Sequence, residues 1–452
     1  MVIVLLFHIA FPASFTTVIA EETIIIRYDG SIYPKDAPIA RNGSLYVLTS
    51  SIQSSIIVEK SSITIDGKDF VIKGQGLFQS KGITLNRMFN VTIKNIVIEG
   101  FYYGVWISEA YNNTILNNTL RMNTGRAIWL GHSNNNIITK NKLIENKGRG
   151  IMLENSNANI IENNSIIGNG CDPIIVSHSH GNRIGRNFVV KNNGRGIWLG
   201  YSCNNTLTEN EIAENNYSGI QLYYSNSNLI FGNIVFKNNI YGIQLSNSSL
   251  NHIYNNNFIN NTIPLQVDLL INYWDNGFLD GGNYWSHINN SKDSYSGIMQ
   301  NINGSDGLVD EPYIINVNNA DHYPSVGLFF NFRIFDCSVR VVSNNQIQRL
   351  IIDVNKTIII YLSVSYSEKT TSIFRLLIPH KLLSPPYEIK VNGKSIEYNT
   401  LFENKSLSVL YFQSFSPTSN VIILSEITSQ FIIWMTLCTL TVVLLIFRRV
   451  LK

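Results

Sequence analysis

Charge, cysteine and proline are all scarce in this chain. Asp, Glu, Lys and Arg make up 14% of its 452 residues and leave a net charge of +3. There is no strong basic field of the kind that nucleic acid would require. The four cysteines, Cys171, Cys203, Cys337 and Cys438, have no zinc or redox spacing and outline no disulfide framework. No 3.6-residue period is visible, which excludes arrays of paired helices. Polarity is carried instead by Asn, Ser and Thr beside abundant Ile, a composition suited to stacked β structure.

The two ends differ from the middle. Residues 1–20 are apolar and finish in Val18-Ile19-Ala20 before Glu21-Glu22, as a secretory signal does. The start lacks Lys or Arg, so an uncleaved anchor is the alternative. Residues 427–447 are apolar or small, and 21 residues at about 1.5 Å each cross a hydrocarbon core of about 30 Å. Arg448, Arg449 and Lys452 follow, so residues 448–452 form a cytoplasmic tail and the bulk faces outward. The expected location is the cell surface. Sequons, among them those at Asn42, Asn90, Asn216, Asn247, Asn303 and Asn355, permit glycosylation there.

An internal repeat organises the centre. Asn113, Asn136, Asn159, Asn182, Asn205, Asn228 and Asn251 follow one another at a fixed step of 23. A second series, Asn118, Asn141, Asn164, Asn187, Asn210, Asn233 and Asn256, keeps the same step, as does a third from Asn123 to Asn261. Apolar columns share the phase: Val105, Ile128, Ile151, Ile174, Ile197, Ile220 and Ile243, then Ile107, Leu130, Leu153, Val176, Leu199, Leu222 and Leu245. Each 23-residue coil reads as short strands of period two joined by tight bends. One coil cannot cover its own apolar face, so coils stack about 4.8 Å apart around a continuous core. The fold class is therefore all-β: a right-handed parallel β-helix over 62–265, regular from 104. The Asn columns are expected at the bends, where Asn tolerates left-handed backbone, each amide bonding to the next coil. Residues 21–61 supply an N-terminal cap and opening strands against edge pairing. An ankyrin or leucine-rich array would not produce three Asn columns with so many β-branched positions.

The coil pattern Gly-Ile-x-Leu, then Asn-x-Ile-x-x-Asn-x-Ile-x-x-Asn, resembles NosD-like proteins and the wider CASH group of carbohydrate-binding and sugar-hydrolase β-helices. Trp274-Asp275, Gly281-Gly282-Asn283-Tyr284-Trp285-Ser286, Asp306-Gly307-Leu308-Val309-Asp310 and Asp321-His322-Tyr323-Pro324 look like the segment that closes such helices, here 266–325. His287 stands where those segments often have Asp. Residues 326–425, with Leu377-Ile378-Pro379-His380 and Tyr387-Glu388-Ile389-Lys390-Val391-Asn392-Gly393, resemble the β-rich, sandwich-like module of archaeal surface proteins. The resemblance implies a fold and leaves activity open, since the group holds binders, hydrolases, lyases, epimerases and a copper-site maturation factor.

Function is read down columns of the outer surface. Between the two inward columns stand Trp106, Trp129, Met152, Ile175, Trp198, Gln221 and Gln244. Trp106, Trp129 and Trp198 on one stripe suit sugar rings; the alternative is that another part of the chain packs over them. Beside them run Arg126, Arg149, Asp172 and Arg195, either a groove for an anionic polymer or a solvated salt-bridge ladder, the second being preferred. Catalysis would draw on Asp172, Glu154, Glu109, Arg149 and Arg195, but no coil sets two acids together as hydrolysis needs. His132 and His178 share a column two coils, roughly 9.6 Å, apart, with His180 close by. They are the candidates for the copper that the resemblance brings in, without a Met or Cys cluster. Asp306 and Asp310, with Asp293, are the candidate Ca²⁺ ligands. The preferred reading is a membrane-anchored surface protein that binds glycan, polysaccharide or neighbouring surface proteins without catalysis. A carbohydrate-active lyase, hydrolase or epimerase is the alternative, and copper handling a second one.

Overall fold

The computed structural model describes residues 23–288, 292–334, 336–352, 358–362, 371–414 and 420–425. The expected signal, membrane span and cytoplasmic tail lie outside the described residues, as does Asn355. Among the described residues no helix is long and apolar enough to cross a membrane.

Inward Ile, Leu and Val alternate with outward residues, and the chain winds into a right-handed parallel β-helix with three sheets. Sheet A has 12 strands, from Ile24–Ile26 to Ile263–Val267. Sheet B has 11, ending at His252–Tyr254, and sheet C has 10, ending at Tyr284–Trp285. Register is strict: Ile128 lies between Val105 and Ile151, and Ile138 between Ile115 and Ile161. These residues are fully buried in one core running the length of the stack. The sheets take in strands from Ile24 onward, ahead of residue 62. Antiparallel partners Ile32–Tyr33 and Ile39–Asn42 lie on the first strands of sheets A and B and blunt that edge.

The Asn columns stack, but they do not take the left-handed conformation themselves. The residue before each one does: Asn112, Asn117, Asn135, Lys140 and Glu145 all have φ between 52° and 57°, and so do Asn204 before Asn205 and Ser227 before Asn228. That bend turns the following Asn inward, where it is buried. Asn136 Oδ1 accepts the N–H of Asn113 at 2.9 Å and its side-chain amide at 3.0 Å, and Asn136 in turn donates to Asn159. The column runs on unbroken: the side-chain amide of Asn182 donates to Asn205 at 3.0 Å, that of Asn205 to Asn228 at 3.1 Å, and that of Asn228 to Asn251 at 3.0 Å. Every coil is thus tied to the next through the corner between sheets. A further ladder of Ser133, Ser156, Ser179, Ser202, Ser225 and Ser248 does the same at the corner between sheets A and B, beside the Asn136 column.

The closing segment continues these ladders with altered spacing. Asn272 follows Asn251, Asn283 follows Asn256, and buried Asp321 takes the next place, accepting the N–H of Asn283 at 2.8 Å and of the Trp285 indole at 2.9 Å. Trp274 and Trp285, both buried, cover the end of the core. Residues 328–425 then form two five-stranded antiparallel sheets around their own core, Val341, Phe374 and Leu410 facing Ile389, Val421 and Ile423. This sandwich is joined to the β-helix through a reciprocal amide pair between Asn257 and Phe329 and through Arg375. The Arg375 side chain, 4% exposed, donates to the carbonyls of Asp306 at 2.8 Å and Phe278 at 2.5 Å.

Candidate functional site: the outer face of sheet A

Because side chains alternate along a strand, the residue between two buried positions of sheet A must point outward. Trp106, Trp129, Met152, Ile175 and Trp198 therefore fall in one vertical stripe across successive coils. The rings of Trp106 and Trp129 stack with centroids 5.4 Å apart. Trp129 and Trp198 lean along their own strands over Gly131 and Gly200, where a Cβ would collide with the outer edge of either indole. Ile175, between them, is only 3% exposed although it points outward, so its neighbours close over it. Among the described residues, those of the sandwich module do not cover this stripe. Its contacts fall on Glu209, Asn257, Phe278, Asp280 and Asp306, away from sheet A.

Next to the indoles runs a column that register defines as Lys81, Tyr103, Arg126, Arg149, Asp172 and Arg195. The salt-bridge ladder expected here is not formed. Asp172 is taken up wholly by Arg195, accepting its backbone N–H at 2.7 Å, Nε at 3.1 Å and Nη2 at 2.5 Å. Arg126 is held by neutral groups, the Tyr103 hydroxyl and the Met152 sulfur, both at 3.1 Å. Arg149 has a buried Nε with no partner. The Lys81 ammonium sits 3.6 Å from the centre of the Trp106 ring, and burial lowers its pKa from the usual lysine value.

The candidate acids are engaged. Glu154 accepts the indole N–H of Trp129 at 3.2 Å. Glu109 pairs with Arg87 at 2.8 Å, and that partner holds its carboxyl below the ordinary range. The structure thus brings Trp129 to Glu154 and Asp172 to Arg195, so these candidate acids of the face are held by donors rather than by each other.

The opposite rim holds a second aromatic column that sequence reasoning overlooked. His178, Tyr201 and Tyr224 stack at 4.9 and 5.3 Å, all exposed. Their step of 23 was the available signal. Lys81 escaped notice for the opposite reason, standing 22 residues before Tyr103, outside the period. At the other end of the stripe, Phe78, 75% exposed, joins Tyr102 and Tyr103 in edge-to-face contacts that extend the aromatic surface.

The donor residues for metal do not assemble. His132 and His178 are exposed and separated by the coil of Asn155, while His180 Nδ1 accepts the N–H of Cys203 at 3.0 Å. Among the described residues no three His, Cys, Asp or Glu side chains gather as ligands, so copper does not fit here. The candidate Ca²⁺ loop is satisfied from within. Asp293 accepts the N–H groups of Asp306 and Gly307, Asp310 those of Ser294 and Tyr295, and Asp306 those of Leu308 and the Gln300 amide. Burial pushes the Asp293 carboxyl up to about 7.

The sequence profile of one family, described as periplasmic copper-binding protein (NosD), matches residues 24–193 and 174–290, more than half of the chain. The chain belongs to the NosD family. The copper named in that description has no matching ligand set among the described side chains. No curated protein matches the sequence. Solved structures that resemble it include the periplasmic alginate epimerase AlgG, with 19% identity, TM-score 0.35, 51% of this chain and 68% of that one. A mannuronan C-5 epimerase A-module from Azotobacter vinelandii is 16% identical, with TM-score 0.31 over 50% of this chain and 82% of its own. The Dettilon tailspike protein is 13% identical, with TM-score 0.37 over 84% and 86%. Likenesses at this level say nothing of what this NosD-family chain binds.

Proposed function

We propose that this protein is held at the cell surface by its apolar segment 427–447 and binds glycan along the outer face of sheet A without turning it over. The observation that carries this reading is the vertical stripe of half-buried, outward-pointing Trp106, Trp129, Met152 and Trp198. Aromatic rings fixed at coil spacing offer to the C–H faces of sugars the part of their apolar area that their own packing leaves accessible. The neighbouring acids favour binding over turnover. Asp172 and Glu154 are both held by donors within the face, and neither stands free as a nucleophile or base.

The test is retention of the full chain on a panel of immobilised glycans, with W106A/W129A and W198A beside it. Binding that falls in these variants, with no new reducing ends or unsaturated products from the bound glycan, is the expected result. Product formation abolished by D172N would replace the binding reading with the enzymatic one.

A further inference from the structure

We infer that the glycan taken by sheet A is polyanionic, and that its acidic groups are met in the N-terminal coils by Lys81, Arg126 and Arg149. The inference rests on the glycan reading above and narrows it.

Three observations lead there. First, these cations share one column, with Arg126 directly beside Arg149 on adjacent strands. Like charges placed opposite each other on a sheet destabilise it. Among the described residues none of the three has an acid within ion-pair distance, although Arg121, Arg183, Arg186 and Arg195 of the same β-helix are each paired. Second, the cations are fixed by neutral groups. Arg126 is set by Tyr103 and Met152, and Lys81 lies over Trp106, so position is defined while charge stays unneutralised. Arg149, whose buried Nε has no partner among the described residues, likewise has no acid to neutralise it. Third, the charge stops. Beyond the self-neutralised Asp172–Arg195 pair, the same face is an amide ladder in which Gln221 donates to Gln244 and Gln244 to Gln266, at 2.6 and 2.5 Å. The cationic stretch spans three coil steps, roughly 14 Å, and lies beside Trp106 and Trp129. An extended acidic polysaccharide fits this arrangement, resting sugar faces on the indoles and turning its anionic groups to the column. Nucleic acid would need a longer basic track than three cations in a chain of net charge +3.

The experiment measures affinity of the full chain for four polymers of matched length: a polyuronate, a sulfated polysaccharide, a neutral glucan and single-stranded DNA. The first two separate carboxylate from sulfate as the anion. Proteins compared are the unmodified chain, K81Q/R126Q/R149Q, W106A/W129A, and R121Q as a cation removed from sheet C. The triple variant is expected to bind the better acidic polysaccharide at least about tenfold more weakly. R121Q should bind as the unmodified chain does, and W106A/W129A should lose acidic and neutral polymer together. A melting curve like that of the unmodified chain establishes that the triple variant is folded. If it is not, the single R126Q and R149Q variants and the salt dependence of the unmodified chain decide in its place. Acidic-glycan affinity unchanged in the triple variant, or a preference of the unmodified chain for glucan or DNA, would overturn the inference while leaving glycan binding in place. Retention of no polysaccharide at all would remove the glycan reading and this inference with it.

Discussion

The β-helix has two kinds of outer surface built on one interior. On sheets B and C, several cations meet acids. Glu99 bridges Lys73 and Arg121, Asp66 bridges Lys68 and Lys94, and Glu162 takes both Arg183 and Arg186. On sheet A, Lys81, Arg126 and Arg149 have no acid within ion-pair distance among the described residues, Arg195 over Trp198 is paired with Asp172, and the indoles are half-buried. In the regular coils both kinds of surface project from one buried core, on three-residue strands in sheets B and C and on strands of four to six residues in sheet A. Ion pairs tie coil to coil on sheets B and C, and fewer of them stand beside the indoles of sheet A.

The widest test of this contrast attacks the interior that the faces share. Asn164 donates its amide to Ile138, Glu162 and Asn187 and accepts two bonds from Asn141. Replacing it with Ala orphans several buried groups, at ~1–3 kcal/mol apiece. A loss of roughly 3 kcal/mol or more in denaturant unfolding is expected, with glycan binding falling only through the folded fraction. A variant of unchanged stability would mean that the ladder is not what joins the coils.

Comparing the faces by pH requires knowing where the interior itself titrates. Asp321, wholly buried at the end of an Asn ladder, has its carboxyl pushed up to about 7 by burial. An acid whose folded pKa lies above its unfolded value of 3.8 stabilises the fold through its bound proton. That contribution is complete below about 3.8 and is lost as pH rises through about 7. Asp293 has the same sign. Melting followed by tryptophan emission should therefore show the unmodified chain losing stability between pH 4 and 7. D321N should lose less, keeping the part due to Asp293. Identical slopes would place the titration elsewhere.

On sheet B, Glu162→Ala strands Arg183 and leaves Arg186 its Glu209 partner at 3.6 Å; with both cations partly screened by solvent it should cost about 1 kcal/mol of stability with no change in glycan affinity. R126Q on sheet A should do the reverse, weakening acidic-glycan binding while stability holds or rises by a few tenths of a kcal/mol as like charges are relieved. If both substitutions moved stability alike and binding not at all, the two faces would be equivalent and the contrast empty.

Much of this was legible in sequence because a period carries geometry. Once Asn136, Asn159, Asn182, Asn205 and Asn228 are seen 23 apart, the buried columns, the corner ladders and the outward Trp stripe all follow. Legibility failed where the period did. Lys81 is displaced by a 22-residue step, and Asn272 and Asn283 continue the ladders after steps of 21 and 27. Pairing was also hidden, since a column shows which residues are neighbours and not which acid reaches which cation. Asp172 was placed between two arginines by phase, but its orientation toward Arg195 alone is set by side-chain geometry. The left-handed residue was misplaced by one position, because a bend that turns Asn inward must precede it. The docking of the sandwich through Arg375 joins residues 69 and 97 apart in sequence, and no local pattern encodes it.

The smallest perturbation separates the aromatic stripe from the fold beneath it. Gly131 is fully buried only because the Trp129 ring leans over it, and a methyl group there would meet the far edge of that indole. The strand backbone at 131 needs no unusual conformation, so Gly131→Ala should be tolerated by the sheet. The indole can swing outward at little cost, since only its outer edge is displaced, and a stability change within about 0.5 kcal/mol is expected. Its seat is nevertheless lost, along with the bond to Glu154 and the stack on Trp106. Glycan retention should then fall severalfold at constant stability. Retention unchanged in G131A but lost in W129A would show that the ring's apolar area matters and its orientation does not. Retention unchanged in both would leave sheet A no different in use from sheets B and C.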